Sequence, residues 1–322
     1  MKVLITGGAG FIGSNFTRLA LSPEFSKISS VIVIDKLTYA GRYSNVEPFI
    51  SNPSFTFLEG DICNPSLMEA VSKDVDAIIN FAAESHVDRS IDDPTNFIKT
   101  NILGTQVLLE SARKNKISKY IQISTDEVYG SVTKGSSVES SPLLPNSPYS
   151  ASKAAADLLV RSYWMTYALN VNITRSSNNY GPAQDPEKLI PQFISRLHRG
   201  EKVPVYGTGL NIRDWLYVED NCRGIYQVLA KGLPGEIYNI GGGLELTNLQ
   251  ITRKLLSHFG FSEDHIDFVE DRLGHDFRYS VNWKKISELG YTPTANFDQI
   301  LEKTIDWYLK NPNMLEPKSE AI

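Results

Sequence analysis

The chain has 322 residues, 41% of them apolar, enough to bury the core of one large α/β domain or of two lobes. With 32 basic and 37 acidic residues its formal net charge is -5, which provides no field for nucleic acid or anionic lipid, so any phosphate has to be held by a local site. Two cysteines, Cys63 and Cys222, cannot build a disulfide framework, and five histidines without ligand spacing give no support to zinc chemistry or to any other metal.

The apolar run Val3-Leu4-Ile5 breaks into glycines too soon for a signal-peptide core, and no other stretch approaches the roughly 18 apolar residues of a membrane span. The expectation is a soluble cytoplasmic protein, with homo-oligomerisation open. Up to about residue 180, short runs rich in Val, Ile and Phe alternate with longer amphipathic segments. Lys2 to Thr6, Val31 to Asp35, Phe55 to Leu58, Ala77 to Phe81, Tyr120 to Ser124 and Val171 to Thr174 read as strands. Their mostly unbroken apolar character is that of strands covered on both faces, which predicts an α/β fold with a Rossmann-type doubly wound parallel sheet. The longest helices are expected over Asn96 to Lys114 and Tyr149 to Ala168. Past residue 183, Pro and Gly loosen the rhythm, and a smaller C-terminal substrate-binding lobe is expected over 183–310. Within it Glu236 to Ile240 reads as a strand able to return to the main sheet, and Leu249 to Phe259 and Phe297 to Leu309 as amphipathic segments. The polar tail 311–322, with Pro312 and Pro317, is expected to be loosely ordered.

The first strand runs into Thr6-Gly7-Gly8-Ala9-Gly10-Phe11-Ile12-Gly13. Gly7, Gly10 and Gly13 fit G-x-x-G-x-x-G, in which a tight turn brings backbone close to a pyrophosphate at a helix N-terminus. A strand before the turn, an apolar helix after it and an acid closing the next strand complete the context of a dinucleotide site. That acid, Asp35, is placed for the adenosine ribose and repels a 2′-phosphate, which favours NAD over NADP, although Lys36 and Arg42 beside it pull the other way. Asp61-Ile62 follows the third strand and can reach adenine.

Tyr149 and Lys153 stand one turn apart on a predicted helix and so share a face. In a chain with 15 tyrosines and 32 basic residues that spacing carries little weight alone. It gains weight from Ser124-Thr125, which close a strand at the carboxyl edge of the sheet, where ligands bind in open α/β folds. Glycine turn, Asp35, strand-terminal Ser/Thr and Tyr-x-x-x-Lys together resemble the extended short-chain dehydrogenase/reductase superfamily. Within it, Ser124-Thr125-Asp126-Glu127-Val128-Tyr129-Gly130 closely resembles the dTDP-glucose 4,6-dehydratases, as do Ala82-Ala83-Glu84-Ser85-His86-Val87-Asp88, Asn178-Asn179-Tyr180-Gly181-Pro182 and Asn211-Ile212-Arg213-Asp214-Trp215.

The resemblance implies a lyase acting on the nucleotide sugar dTDP-glucose, with NAD as cofactor and a homodimer as the assembly. The C5 hydrogen of a hexose is not acidic until C4 is a ketone, so oxidation comes first. Tyr149, helped by the charge of Lys153 and of the oxidised nicotinamide, would take the O4 proton, because an unassisted phenol of pKa about 10 is a poor base at neutral pH. Thr125 would hold O4. Loss of water then needs a base at C5 and an acid at the C6 hydroxyl, for which the family assigns Glu127 and Asp126. The resemblance adds Thr38, Ala82, Ala83, Ser85, Thr100 and Asn178 to the cofactor site. It places the nucleoside diphosphate near Ser85, Asn179, Lys188, Leu189, Pro204, Tyr206, Arg213, Asn248, Arg272, His275 and Tyr279. Leu273 and Phe277 stand where the family usually has Pro and Arg. Two other readings remain at this point: epimerisation or decarboxylation of a nucleotide sugar, and a catalytically silent NAD-responsive binding protein.

Overall fold

The unbroken apolar runs become strands whose alternate side chains feed two separate cores. The computed structural model describes residues 1–318. Its strands are β1 (Lys2–Thr6), β2 (Ser30–Asp35), β3 (Phe55–Glu59), β4 (Ala77–Asn80), β5 (Lys119–Thr125), β6 (Val171–Ser176), β7 (Asn178–Tyr180), β8 (Val203–Tyr206), β9 (Ile212–Tyr217), β10 (Ile237–Ile240), β11 (Glu245–Thr247) and β12 (Ile266–Val269). Seven of them form one parallel sheet in the order β10-β6-β5-β4-β1-β2-β3. Val3, Ile5, Val31, Val33 and Ile79 pack against helices Phe11–Ala20 and Val218–Lys231 on one side. Leu4, Ile34, Ile78, Tyr120 and Ile173 pack against helices Pro65–Val71, Thr105–Lys114 and Pro148–Tyr167 on the other. Each such apolar side chain contributes about 1.5–3 kcal/mol when fully buried, and the polar side chains on these strands, such as Asn80 and Gln122, are buried in hydrogen-bonded contact with one another. Connections run outward in opposite senses from β1 and β4, and the crevice at that switch point opens at the carboxyl ends of the strands.

The predicted long helix over 96–114 is in fact compound. Thr95–Phe97 and Thr105–Lys114 are joined by a π-helical stretch, Ile98–Gly104, a local widening that often accompanies functional sites. The second long helix, Pro148–Tyr167, starts with a Ser147 capping box and Pro148 in its first turn.

The C-terminal half is interleaved with the sheet. Helix Val218–Lys231 covers one of its faces and β10 pairs parallel with β6, so residues past 183 build part of the main layer as well as the lobe. The lobe itself holds β7, β9 and β11 in one small sheet and β8 with β12 in another. Its core includes Phe193, Ile251, Leu255, Ile305 and Tyr308. The expectation of a loose tail fails as far as residue 318. Met314 and Leu315 are buried in the lobe core, and Lys318 donates through Nζ to the carbonyls of Leu37 at 2.6 Å, Thr38 at 3.2 Å and Gly41 at 3.1 Å. Apolar Met314 and Leu315 are what a reading of the tail as merely polar passed over. Residues 319–322 lie outside the described residues. No helix among the described residues is long and apolar enough to cross a membrane.

Candidate active site

The glycine turn cannot accept side chains. Gly7 has φ of +69°, and a Cβ on it would sit 2.5 Å from the Ala82 nitrogen; one on Gly13 would sit 2.3 Å from the Gly7 carbonyl oxygen. The helix that follows has Gly10 as an N-cap without a capping side chain and no acid in its first turn, so its leading N–H groups remain available to an anion. Asp35, at the end of β2, is buried and oriented by two amides, Ala9 N to Oδ2 at 2.9 Å and Leu37 N to Oδ1 at 2.8 Å. The two cations that argued for a phosphorylated ribose are committed elsewhere. Lys36 pairs with Asp61 at 2.8 Å, and Arg42 reaches the backbone carbonyls of Asn313 and Glu316.

A cavity of about 290 Å³ runs from this turn to the end of β5. Gly7, Gly10, Phe11, Ile12, Gly13, Asp35, Lys36, Thr38, Asp61 and Ile62 line it, together with Ala82, Ala83, Ser85, Thr100, Thr125, Asp126, Glu127, Tyr149, Asn178, Asn179 and Lys188. Polar atoms wait in its wall: the side-chain oxygens of Asn178, Asn179 and Gln184 are buried without a protein partner, as groups that meet a ligand are. The residues present therefore fit a dinucleotide. Glu84, Ser176, Ser177, Gln184 and Asp185 also line the cavity and were missed from sequence. Ser176 ends β6 and Ser177 follows it, and the strand-edge rule applied to Ser124-Thr125 would have found them. Gln184 and Asp185 follow Pro182 with no spacing of their own.

Thr125, the last residue of β5, caps the short turn Asp126–Tyr129, accepting from Glu127 N at 3.2 Å and donating to Asp126 Oδ1 at 3.3 Å. Asp126 is 3% exposed, and its Oδ2 has no partner. Burial, then the charges of Glu127 and Asp214, push its carboxyl well above the ordinary range. Glu127 is also raised by burial, but Arg272, Lys188 and Arg213 oppose the shift. Both carboxyls are thus raised by burial, but anionic neighbours add to the shift at Asp126 whereas three cations oppose it at Glu127, so the proton is held more readily by Asp126.

Tyr149 packs edge-on to Phe97 with centroids 6.3 Å apart, and its backbone N–H is taken by Ser90 Oγ at 3.2 Å. Burial and then the charge of Glu127 raise its phenol well above 10, against the pull of the facing Thr125 hydroxyl. Lys153, expected to supply a lowering charge, is not among the main influences on the phenol. Lys153 lies behind the cavity wall and donates through Nζ to the Ile123 carbonyl at 2.6 Å; burial lowers its own pKa to about 8, opposed by Asp157.

The nucleotide-arm residues lie outside the cavity wall, except Ser85, Asn179 and Lys188. Arg213 does not pair with Asp214: its guanidinium stacks 4.3 Å over the Tyr279 ring and donates to the Asp276 carbonyl at 3.0 Å, while Asp214 takes the amides of Gly242 and Leu244. Arg272 approaches Asp88 at 3.6 Å, with Nε buried and unpartnered. His275 contacts Asp271 at 2.6 Å, and Tyr206, 42% exposed, reaches Asp88 at 3.5 Å. Pro204 lies in β8, Leu189 opens helix Leu189–His198, and Asn248 opens helix Asn248–Phe259, whose cap is Thr247. Leu273 and Phe277 are exposed. Among the described residues no group of His, Cys, Asp and Glu could hold a metal ion.

Comparison with known proteins places this geometry. A family model described as GDP-mannose 4,6 dehydratase matches residues 4–304. The low-salt glycan biosynthesis protein Agl12 of Haloferax volcanii is 52% identical over 309 residues, 96% of this chain and 99% of that protein. A dTDP-glucose 4,6-dehydratase of an Actinoplanes species is 49% identical over 315 residues, 97% and 98% of the two chains. The crystal structure of DesIV, a dTDP-glucose 4,6-dehydratase of Streptomyces venezuelae with NAD and dTDP bound, superposes with a TM-score of 0.97 at 50% identity, covering 98% of this chain and 99% of that one.

Proposed function

The chain belongs to the GDP-mannose 4,6 dehydratase family, and from that premise we propose that it converts dTDP-glucose to dTDP-4-keto-6-deoxyglucose as an NAD-dependent hydro-lyase. The observation that carries this reading is the adjacent pair Asp126 and Glu127 at the edge of β5 beside a dinucleotide cavity, both raised by burial but with anions facing Asp126 and cations facing Glu127. Epimerisation needs the oxidising half of the site and has no use for such a pair.

Gly7, Gly10 and Gly13 would receive the pyrophosphate of the cofactor, Asp35 its ribose, and Asp61 and Ile62 its adenine end. When bound, NAD accepts the C4 hydrogen as hydride and later returns it to C6. Thr125 holds O4 while Tyr149 takes its proton, leaving a C4 ketone. Glu127 then removes the C5 proton, and Asp126, kept protonated by burial and by its anionic neighbours, delivers a proton to the departing C6 hydroxyl, which leaves as water. Glu127 gives its proton back to C5 as C6 is reduced, which leaves Tyr149 holding the O4 proton and Asp126 without its own, so the transfer of one proton from Tyr149 to Asp126 by way of solvent returns the protein to its starting state. Arg213, Arg272, Lys188 and Asn179 would face the diphosphate, and Tyr206 the base. In the assay that tests this reading, dTDP-, UDP- and GDP-glucose are each incubated with enzyme and NAD. The dTDP sugar should lose one water by mass and gain a ketone; a dTDP-galactose product, or no reaction with any of them, contradicts the assignment.

We further infer a cytoplasmic homodimer. Both cysteines are free thiols, as suits a reducing compartment. Ile98, Leu103, Leu158, Met165 and Tyr167 stand exposed on the segments Thr95–Lys114 and Pro148–Tyr167, a concentration of apolar surface that a second copy would cover. Sedimentation equilibrium should give a dimer that Leu158→Glu with Met165→Glu converts to monomer; wild type sedimenting as a monomer contradicts the inference.

A further inference from the structure

The residues assigned to oxidation and to elimination sit on different elements. Tyr149 and Lys153 project from helix Pro148–Tyr167, whereas Asp126 and Glu127 belong to the turn after β5. One substrate pose must satisfy both pairs, so something has to fix the helix against the turn. One turn beyond Lys153 on the same helix face stands Asp157, 1% exposed, whose Oδ2 accepts from Arg175 Nε at 2.9 Å. Arg175, on β6 and 3% exposed, extends the other way to the catalytic turn. Its Nη1 donates to the Tyr129 hydroxyl at 2.9 Å and to the Glu139 carbonyl at 3.3 Å, and its guanidinium lies 4.9 Å over the Tyr129 ring. Tyr129 in turn donates to Asn239 Oδ1 at 2.8 Å, and Asn239, fully buried on β10, donates to the Ser137 carbonyl at 3.1 Å. Arg175 is therefore a two-sided clamp: one side holds the helix of Tyr149 and Lys153, the other the turn of Asp126 and Glu127, and both are referred to the sheet.

Stability does not account for this arrangement. Withdrawing a carboxylate and a guanidinium from water costs several kcal/mol per ion, and apolar side chains of like volume often serve a core as well or better. What a hydrogen-bonded ion pair adds is direction, and catalytic geometry is sensitive to it, since a displacement of about 1 Å can cost about a hundredfold in rate.

We propose that Arg175, held between Asp157 and Tyr129, is a positioning residue that sets the oxidising pair against the eliminating pair. The proposal rests on the dehydratase reading and deepens it. Tyr129→Phe tests it with little risk to folding, because the ring and its contact with the guanidinium remain while both hydroxyl bonds go. The eliminating turn loses its tether; the helix keeps its own. Turnover should fall about 10- to 100-fold with KM within about threefold of wild type, and reduced cofactor should accumulate on the enzyme, visible by its ultraviolet absorbance, because oxidation outruns elimination. Asp157→Asn, which weakens the other side of the clamp, should instead slow the appearance of reduced cofactor. Thermal unfolding of both variants records the state of the fold. Turnover of Tyr129→Phe within about threefold of wild type overturns the proposal, as does a loss falling equally on both partial reactions in both variants, since that is the signature of a merely structural role. Wild type run alongside separates two failures. Product from wild type with an unchanged Tyr129→Phe removes only the clamp, whereas a wild type that forms no product removes the dehydratase reading and the clamp with it.

Discussion

Tyr149→Phe should leave the enzyme unable to reduce bound NAD with dTDP-glucose, lowering the rate of that step by the 10²- to 10⁴-fold that a positioned acid–base group typically contributes. Burial and the charge of Glu127 hold the phenol well above 10, so at neutral pH it is protonated and serves as a base only when positive charge is brought against it. Lys153, engaged with the Ile123 carbonyl and itself lowered to about 8, does not dominate that balance. The phenolate fraction therefore grows as pH rises, and oxidation in wild type should accelerate with pH across the neutral range, whereas the slow residual oxidation in Tyr149→Phe should lose that dependence. Stopped-flow absorbance of reduced cofactor measures both. Near wild-type reduction by Tyr149→Phe removes the tyrosine from its assigned role.

Glu127→Gln should divide the reaction at its middle. The amide has nearly the shape of the carboxylate but cannot take the C5 proton, so elimination and C5 exchange should fall by about 10²- to 10⁴-fold. Oxidation should survive. Glu127 is the largest charge raising Tyr149, so removing it eases ionisation of the phenol and the first step should proceed at least as readily as in wild type. Reduced cofactor and a bound 4-keto sugar should accumulate together. Unimpaired C5 exchange in this variant would transfer the base role to another group.

Much of this site was legible in the sequence because its parts are local. Gly7, Gly10, Gly13 and Asp35 are fixed by what a turn and a strand end must do next to a pyrophosphate, and Thr125 closes the strand that Asp126 and Glu127 follow. The main sheet was readable for the same reason: β1, β2 and β4, covered on both faces, are short apolar runs without the period of an amphipathic helix. The sequence was less informative where a residue's role depends on a distant partner. Arg42 argued for a phosphorylated ribose until the tail backbone took its guanidinium, and Arg213, adjacent to Asp214 in sequence, is held instead by the Asp276 carbonyl and the Tyr279 ring. Helix Val218–Lys231 crosses back to the main sheet through contacts no local pattern announces, and Arg175, Asp157 and Tyr129 looked like ordinary residues of a strand, a helix and a turn.

The central claim, that a carboxyl pair beside a dinucleotide site makes this an eliminating enzyme, is tested most directly by where solvent hydrogen enters the product. Wild type is incubated with dTDP-glucose and NAD in heavy water, and the product is read by proton NMR. The account predicts a 4-keto-6-deoxy sugar carrying deuterium at C5, because the proton that Glu127 removes exchanges with solvent before it is returned. A product that keeps its original hydrogen at C5, or a sugar inverted at C4 with its C6 hydroxyl intact, would contradict it.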